Sequence, residues 1–288
     1  MNATMKLEKT KHYPVMLDQV LSIISPHHGG TFIDCTFGGG GYSKAILEFP
    51  NTKVVAIDRD NHVQQHANNL VKKFPNRFSF FQNKFSDINK IIQLDLNPKA
   101  VIFDLGLSTL QLLDNDRGFS FKSEGSLSMQ MGINEYSAYD VVNTLDKKNL
   151  ANIIKVLGDE KDGKIIANKI IKYRTKKPIK TSEELNSIIR DAKKNHKKYK
   201  KNPSTKTFQA IRIFVNRELT ELMLGLFAAS KLLKKGGILL VVSFHSLEDK
   251  IVKNFFNLYS DLNKNPSRYL PLQKNKSGLF KFFVKKPL

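Results

Sequence analysis

The sequence predicts an α/β fold in which a parallel sheet, flanked by helices on both faces, is interrupted by a helical insertion. Three observations carry this reading. Four short apolar runs recur through the first third of the chain with helix-like stretches between them, and a fifth stands near the far end. Between them, from about Leu113 to Lys206, the periodicities are helical and no strand pattern appears.

The four runs lie at residues 31–35, 53–57, 78–81 and 100–103, and the helix-like stretches at 43–49, 61–74 and 86–94. Strands separated by helices need crossover connections, which are right-handed and lay the strands parallel. Gly236-Gly237 precedes the fifth strand, 238–243, and a helix over 247–258 follows the candidate N-cap Ser246. In the middle segment, Asp146 caps a helix whose Leu150, Ile153, Ile154 and Leu157 share one face, with Gly158 as its stop. Thr181 and Glu184 have capping-box spacing ahead of Leu185, Ile188 and Ile189. Residues 207–233 read as one helix returning to the main domain. The expected division is therefore 1–112 with 207–288 as the main domain and 113–206 as the insertion.

With 288 residues the chain is long enough to bury a core without staples. A single cysteine, Cys35, excludes an intramolecular disulfide and a cysteine-based zinc site, and fits a reducing compartment. Residues 1–14 hold no apolar stretch of the signal-peptide kind, and the apolar run 238–242 is far too short to span a bilayer. The expectation is a cytoplasmic protein with no membrane partner.

Charge narrows the partner. The formal net charge is +21, and residues 161–217 hold 18 Lys/Arg against four acidic residues, a surplus of 14 in a fifth of the chain. An even compositional bias does not cluster charge in this way, so the pattern points to nucleic acid. Residues 193–206, with seven lysines and His196, read as a solvated basic loop. That loop, Arg212 and Arg217 are the expected phosphate contacts.

The chemistry sits at the strand ends, where open α/β sheets bind ligands. The first end reads Asp34-Cys35-Thr36-Phe37-Gly38-Gly39-Gly40-Gly41-Tyr42. Glycines let a backbone turn tightly and approach a cofactor with no Cβ in the way. The dinucleotide fingerprint requires a third glycine at position 43, which is Ser43, and this argues against a nicotinamide dehydrogenase. An acidic residue opening the turn suits a cofactor with a cationic amino-acid end, such as S-adenosylmethionine. Asp58, after the second strand, is placed to accept hydrogen bonds from both ribose hydroxyls, while Asp60 is the better helix cap. Phe85 offers an apolar wall for adenine, or equally a core side chain. The fourth strand ends in Asp104-Leu105-Gly106-Leu107-Ser108, and a carboxylate after four apolar residues is costly to bury as mere packing.

Together these segments resemble the bacterial 16S ribosomal RNA cytosine-N4 methyltransferases, the MraW type. The matching residues are His12-Tyr13-Pro14-Val15 through Asp18, Asp34 to Ser43, Asp58-Arg59-Asp60, Asp104-Leu105-Gly106 through Gln111, and Arg117-Gly118-Phe119-Ser120-Phe121. They continue through Thr207-Phe208-Gln209-Ala210 to Asn216 and Glu218, and Ser243-Phe244-His245-Ser246-Leu247-Glu248-Asp249 to Lys253. Thr109-Leu110 stand where the family usually has Ser-Pro, and Ser128-Met129-Gln130-Met131 replaces Asp-Met-Arg-Met. The resemblance implies a Rossmann-like S-adenosylmethionine-dependent methyltransferase sheet with the helical domain inserted after the fourth strand. It implies S-adenosylmethionine held by Gly40, Gly41, Tyr42, Asp58, Phe85, Asp104 and Gln111, and a cytidine in the decoding centre of the small ribosomal subunit as substrate. A homodimer stays open.

Cytosine N4 is a poor nucleophile, so an acceptor that grips one of its hydrogens is expected at the reacting centre. Asp104 is the candidate, with Ser108 a second acceptor and His245 a further polar group that is either catalytic or structural. The competing readings are a non-catalytic RNA-binding or ribosome-assembly factor, and a DNA amino-methyltransferase. The latter usually carries an Asp/Ser-Pro-Pro-Tyr/Phe block, which Asp104-Leu105-Gly106-Leu107 is not.

Overall fold

The computed structural model describes residues 14–92, 96–193, 202–260 and 278–282. Helix α1 (Leu17–Ile24) leads into β1 (Gly30–Asp34), followed by α2 (Gly41–Leu47), β2 (Thr52–Asp58), α3 (Gln64–Lys73), β3 (Phe78–Gln82), the short α4 (Ile88–Ile91) and β4 (Ala100–Asp104). Helices α5 (Thr109–Leu113), α6 (Ala138–Thr144), α7 (Lys147–Gly158), α8 (Gly163–Arg174), α9 (Ser182–Ala192) and α10 (Thr205–Asn216) come next. The chain closes with α11 (Glu218–Leu232), β5 (Ile238–Val242) and α12 (Ser246–Tyr259).

All five expected strands form one parallel sheet, ordered β3-β2-β1-β4-β5. Alternation along each strand sends side chains to two separate apolar layers, as strands buried on both faces require. Phe32, Val54, Ala56, Ala100 and Ile102 pack with α1, α2 and α3. Ile33, Ile57, Val101 and Phe103 pack with α4, α11 and α12. The result is the doubly wound, Rossmann-like sheet that the strand spacing predicts.

The middle segment builds a third apolar cluster of its own. Leu150, Ala151 and Ile154 of α7, Ile166 and Ile170 of α8, and Leu185 and Ile189 of α9 meet Leu127 and Met129 there. Asp146 caps α7 as expected, its Oδ1 accepting from the amides of Lys148 and Asn149. The helix stops one residue later than expected, on a left-handed Asp159. Thr181 caps α9 through the Glu184 amide, whereas Glu184 Oε2 turns to the Lys180 amide.

One helix expectation is corrected. Residues 207–233 do not form a single helix: the chain breaks at Arg217, whose φ is +51°. A left-handed non-glycine residue is unfavourable by about 1–2 kcal/mol, and the buried Asn216 beside it supplies the compensation. Its Oδ1 accepts from Met131 N and Asn134 Nδ2, and its Nδ2 donates to the carbonyls of Met129 and Arg212. Consequently α10 packs through Phe208, Ile211 and Val215 with the inserted helices, and only α11 lies on the sheet.

Arg59, just past β2, ties the sheet to the inserted segment. Its Nη1 donates to the Asn216 carbonyl at 2.8 Å, and its Nη2 to the Ile133 carbonyl at 2.8 Å and Asn134 Oδ1 at 3.1 Å. Gly132 faces it so closely that a Cβ there would lie 2.0 Å from the Arg59 carbonyl oxygen. Among the described residues no helix is long and apolar enough to cross a membrane.

Candidate active site

The order β3-β2-β1-β4-β5 reverses direction between β1 and β4, and a crevice beyond their carboxyl ends follows from that divergence. Register fixes what flanks it. Asp34 pairs with Ala56 and with Ile102, each two residues short of the next carboxylate, so Asp58 and Asp104 stand level on either side of the residue after Cys35. That residue is Thr36, whose Oγ1 accepts the Asp104 amide at 2.7 Å.

The glycine turn opens on an acid, but not one that can meet a ligand. Asp34 is fully buried; its Oδ2 accepts from Ser43 Oγ at 2.6 Å and its Oδ1 from Thr36 N at 3.2 Å. Burial pushes its carboxyl up from the ordinary range, and those hydrogen bonds oppose the shift. Asp34 therefore braces the turn, which corrects the expectation that the opening acid faces a cationic cofactor. Gly38 (φ +50°) and Gly40 (φ +77°) supply left-handed backbone, and a Cβ on Gly39 would meet nothing within 4 Å, so the turn faces open space. Pro14 presses on Gly41, and the buried Tyr42 donates its hydroxyl to the Val15 carbonyl. The expected segment from His12 is thus seen from Pro14 onward as a brace behind the turn; His12 and Tyr13 lie outside the described residues.

Asp58 accepts the Gly38 amide on Oδ2 at 2.7 Å and the Asp60 amide on Oδ1 at 2.9 Å. Burial raises its carboxyl from 3.8 to about 6, against the pull of those two amides. Each carboxylate oxygen keeps a further lone pair for a ligand hydroxyl. Asp60 caps the turn at His62, as expected, and does more. Its Oδ2 receives Arg117 Nη1 at 2.6 Å and Gln111 Nε2 at 2.9 Å. Burial opposes ionisation of Asp60, yet these donors hold its carboxyl below the ordinary value.

Gln111 and Ser108 are brought together as a capping box at the start of α5: Ser108 Oγ accepts the Gln111 amide and Gln111 Oε1 accepts the Ser108 amide. Both ends of the Gln111 amide side chain are therefore engaged within the protein. Phe85 meets Phe103 edge-on, with ring centres 5.3 Å apart, and packs against Gly225 of α11.

Asp104 differs from the other strand-end acids. Its Oδ1 is buried with no hydrogen-bond partner among the described residues. Burial, then the charges of Asp34 and Glu248, raise its carboxyl from 3.8 to about 7. A carboxyl poised between its two protonation states at neutral pH, with an unused acceptor atom in a cleft, is equipped to take a hydrogen bond or a proton.

His245 proves to be the N-cap of α12, displacing Ser246 from that expected role. Its Nδ1 stands 3.4 Å from the Glu248 amide, and Glu248 Oε2 accepts the amides of Phe244 and His245. The other ring nitrogen, Nε2, lies 3.2 Å from Glu248 Oε1 without hydrogen-bond geometry. Glu218 completes a close trio with His245 and Glu248, but both of its oxygens are gripped by Arg212, Nε at 2.8 Å and Nη2 at 2.9 Å. The fork gives that acidic corner its counter-charge.

The basic surface is correspondingly redistributed. Arg212 is spent on Glu218, and Lys193 is buried with Nζ 2.5 Å from Glu160 Oε2, so neither is a free phosphate contact. Arg217 is exposed and pairs with Glu135. Residues 194–201 of the lysine-rich loop lie outside the described residues. On the insertion, Lys169, Lys172, Lys176 and Lys177 surround a concave surface with Tyr173, alongside Glu183, Glu184 and Asp191.

Sequence reasoning gave no role to Thr36, Ser43, Arg117, Asn216, Glu218 or Glu248. Glu248 alone had a readable signal, its capping-box spacing from His245. Thr36, Arg117 and Asn216 act through partners remote in the chain, and Ser43 and Glu218 through Asp34 and Arg212, nine and six residues away with no local motif to mark them.

The MraW methylase family pattern matches residues 9–288. The Ribosomal RNA small subunit methyltransferase H of Ehrlichia canis (strain Jake) is 48% identical over 255 residues, covering 87% of this chain and 86% of the relative. The protein of the same name from Rickettsia massiliae (strain Mtu5) is 43% identical over 278 residues, covering 92% and 90%. The one from Wolbachia sp. subsp. Drosophila simulans (strain wRi) is 47% identical over 250 residues, covering 85% and 84%. With this similarity along nearly its whole length, and a doubly wound sheet whose crevice is lined by Asp58, Asp104 and an open glycine turn, the chain belongs to the MraW methylase family.

Proposed function

We propose that the protein transfers a methyl group from S-adenosylmethionine to the exocyclic N4 of a cytidine in 16S ribosomal RNA, at the decoding centre of the small subunit. Relatives bearing the name Ribosomal RNA small subunit methyltransferase H support the RNA and the subunit. The observation that carries the site is the buried, unpartnered Oδ1 of Asp104 beside the open turn at Gly39.

The residues fit the donor. The turn from Gly38 to Gly41 lets backbone approach it closely, with Tyr42 holding the turn from behind. The remaining Asp58 lone pairs suit ribose hydroxyls, Phe85 an adenine face, and Asp104 a cationic or N–H group. Gln111 contributes by pinning Ser108 and α5 against Asp60. S-adenosylmethionine supplies an electrophilic methyl group on a sulfonium that leaves as a neutral thioether.

The protein's work is positional and electrostatic. Asp104 accepts an N4 hydrogen and turns the amine lone pair out of the ring. Once N4 has taken the methyl group, its displaced proton would pass to Asp104, whose Oδ1 is the open acceptor. Ser108 offers a second acceptor, and His245 holds Glu248 and the start of α12 against that corner. The cytidine leaves its stack to reach the crevice. The inserted helices, with the lysines of α8 and of the turn that follows it, grip the surrounding RNA.

The test is transfer of tritiated methyl to small subunits from a strain lacking the protein, followed by nucleoside mass spectrometry. N4-methylcytidine in 16S ribosomal RNA is the expected product. Binding without transfer would favour the assembly-factor reading, and a methyl on another base or on DNA would overturn the proposal.

A further inference from the structure

Phe244 holds out a ring that is 53% exposed, and it belongs to none of the three apolar clusters. Its backbone is nevertheless fixed. The amide donates to Glu248 Oε2 at 2.9 Å within the box that starts α12, and Glu248 is itself buried. The residue stands two past Val242, the register partner of Asp104, and Leu105 N donates to the Val242 carbonyl at 3.0 Å. Phe244 and Asp104 therefore share one corner of the crevice.

Gly106 sharpens the placement. A Cβ there would lie 3.3 Å from Phe244 Cδ2, and its φ of +94° suits only glycine. The ring thus rests beside bare backbone, two residues beyond Asp104, with its remaining surface open. A single exposed ring is ordinary on a protein surface; Phe244 differs in standing on a fixed backbone at the corner it shares with Asp104. A flat aromatic face beside a carboxyl acceptor matches a planar heteroaromatic ring that carries an N–H donor: the ring stacks and the donor reaches the acceptor.

Building on the methyltransferase reading above, we infer that Phe244 is the stacking platform for the target pyrimidine, holding it in the plane that brings the exocyclic amine to Asp104. Gly106 keeps the space beside the ring clear. Of its neighbours, Ser243 has no ring and His245 turns its imidazole into the cap of α12 against Glu248; the platform is this one side chain.

The test is steady-state methyl transfer to unmethylated small subunits by Phe244→Ala, Phe244→Leu and Phe244→Tyr, with S-adenosylmethionine affinity measured on each. Base–aromatic stacking predicts a loss of about 10- to 100-fold in kcat/KM for Phe244→Ala. Phe244→Tyr should stay within about threefold of the parent and Phe244→Leu should fall near Ala, with cofactor affinity unchanged throughout. Equal activity of the Leu and Tyr variants, loss of cofactor binding in Phe244→Ala, or Phe244→Ala methylating at the parent rate would overturn the inference. So would loss of self-association in Phe244→Ala with methylation intact, which would make the ring a contact between copies. A parent protein that methylates no cytidine would instead overturn the reading on which the inference rests.

Discussion

The backbone N–H of Gly38 donates to Asp58 Oδ2 across 2.7 Å, joining the ends of β1 and β2. One carboxylate therefore shapes the glycine turn and, with its unused lone pairs, is available to a ligand held against that turn.

Asp58→Ala should accordingly lose affinity twice over, through the turn and through the ribose. Titration calorimetry with S-adenosylmethionine should show at least a tenfold rise in Kd. The parent's affinity should also fall as pH drops through about 6, where the raised Asp58 carboxyl takes a proton and one acceptor is lost. An affinity flat between pH 5 and pH 8 would show that Asp58 does not serve the ligand.

Asp104→Asn should separate activity from stability. The folded carboxyl titrates near 7 and the unfolded one near 3.8, so between those values the folded state binds more protons. Stability from this group is complete below the lower value and is lost as pH rises through the upper one. At pH 8 the Asn variant should melt higher than the parent, by up to a few kcal/mol of stability on the scale of 1.36 kcal/mol per unit, and at pH 4 the two should converge. Methyl transfer by the variant should fall by about 100-fold or more, and the parent's rate should climb with pH through about 7.

Arg117 and Asp60 form a buried pair at 2.6 Å, with side chains 11% and 1% exposed. Removing one partner leaves the other's charge uncompensated, so Arg117→Met should destabilise the protein by about 3–5 kcal/mol. Urea denaturation measures it. Asp60→Asn combined with Arg117→Met should recover part of the loss, and additive losses would show that the pair is not coupled.

Lys193 and the lysines that follow it should behave differently although they are neighbours in sequence. Lys193→Met breaks the buried bond to Glu160 and should lower stability while leaving the salt dependence of RNA binding unchanged. Replacing Lys194, Lys197 and Lys198 by Gln should leave the melting temperature near the parent's. It should also flatten the plot of log K against log salt, by about 0.7–0.9 for each phosphate that the variant no longer neutralises.

These pairs mark where the sequence could be read and where it could not. The strands were legible because an apolar run buried on both faces leaves its pattern in consecutive residues. Asp58 and Asp104 were legible for the same reason, as acids standing at the ends of such runs. Lys193 and Arg212 read as free cations because their carboxylate partners, Glu160 and Glu218, are set by how helices pack and not by any local motif. Asp34 carried the wrong expectation because its position before a glycine turn is visible in sequence and its burial is not. His245 lies one residue from Ser246, the hydroxyl that the pattern offers as the cap; a ring nitrogen accepting a backbone amide is a rarer start than a hydroxyl.

Three consecutive side chains at the end of β2 face three ways: Asp58 toward the glycine turn, Arg59 toward the inserted layer, and Asp60 toward Arg117 and Gln111. This makes the enzyme a poor candidate for modular exchange. A chimaera that took its helical insertion from a distant relative would inherit foreign carbonyls where Ile133 and Asn216 now receive Arg59, and the error would be felt one residue away in the turn. The insertion and the sheet-bearing half are bound to drift together, and a graft between relatives would have to carry the whole tripeptide and its receivers as one unit.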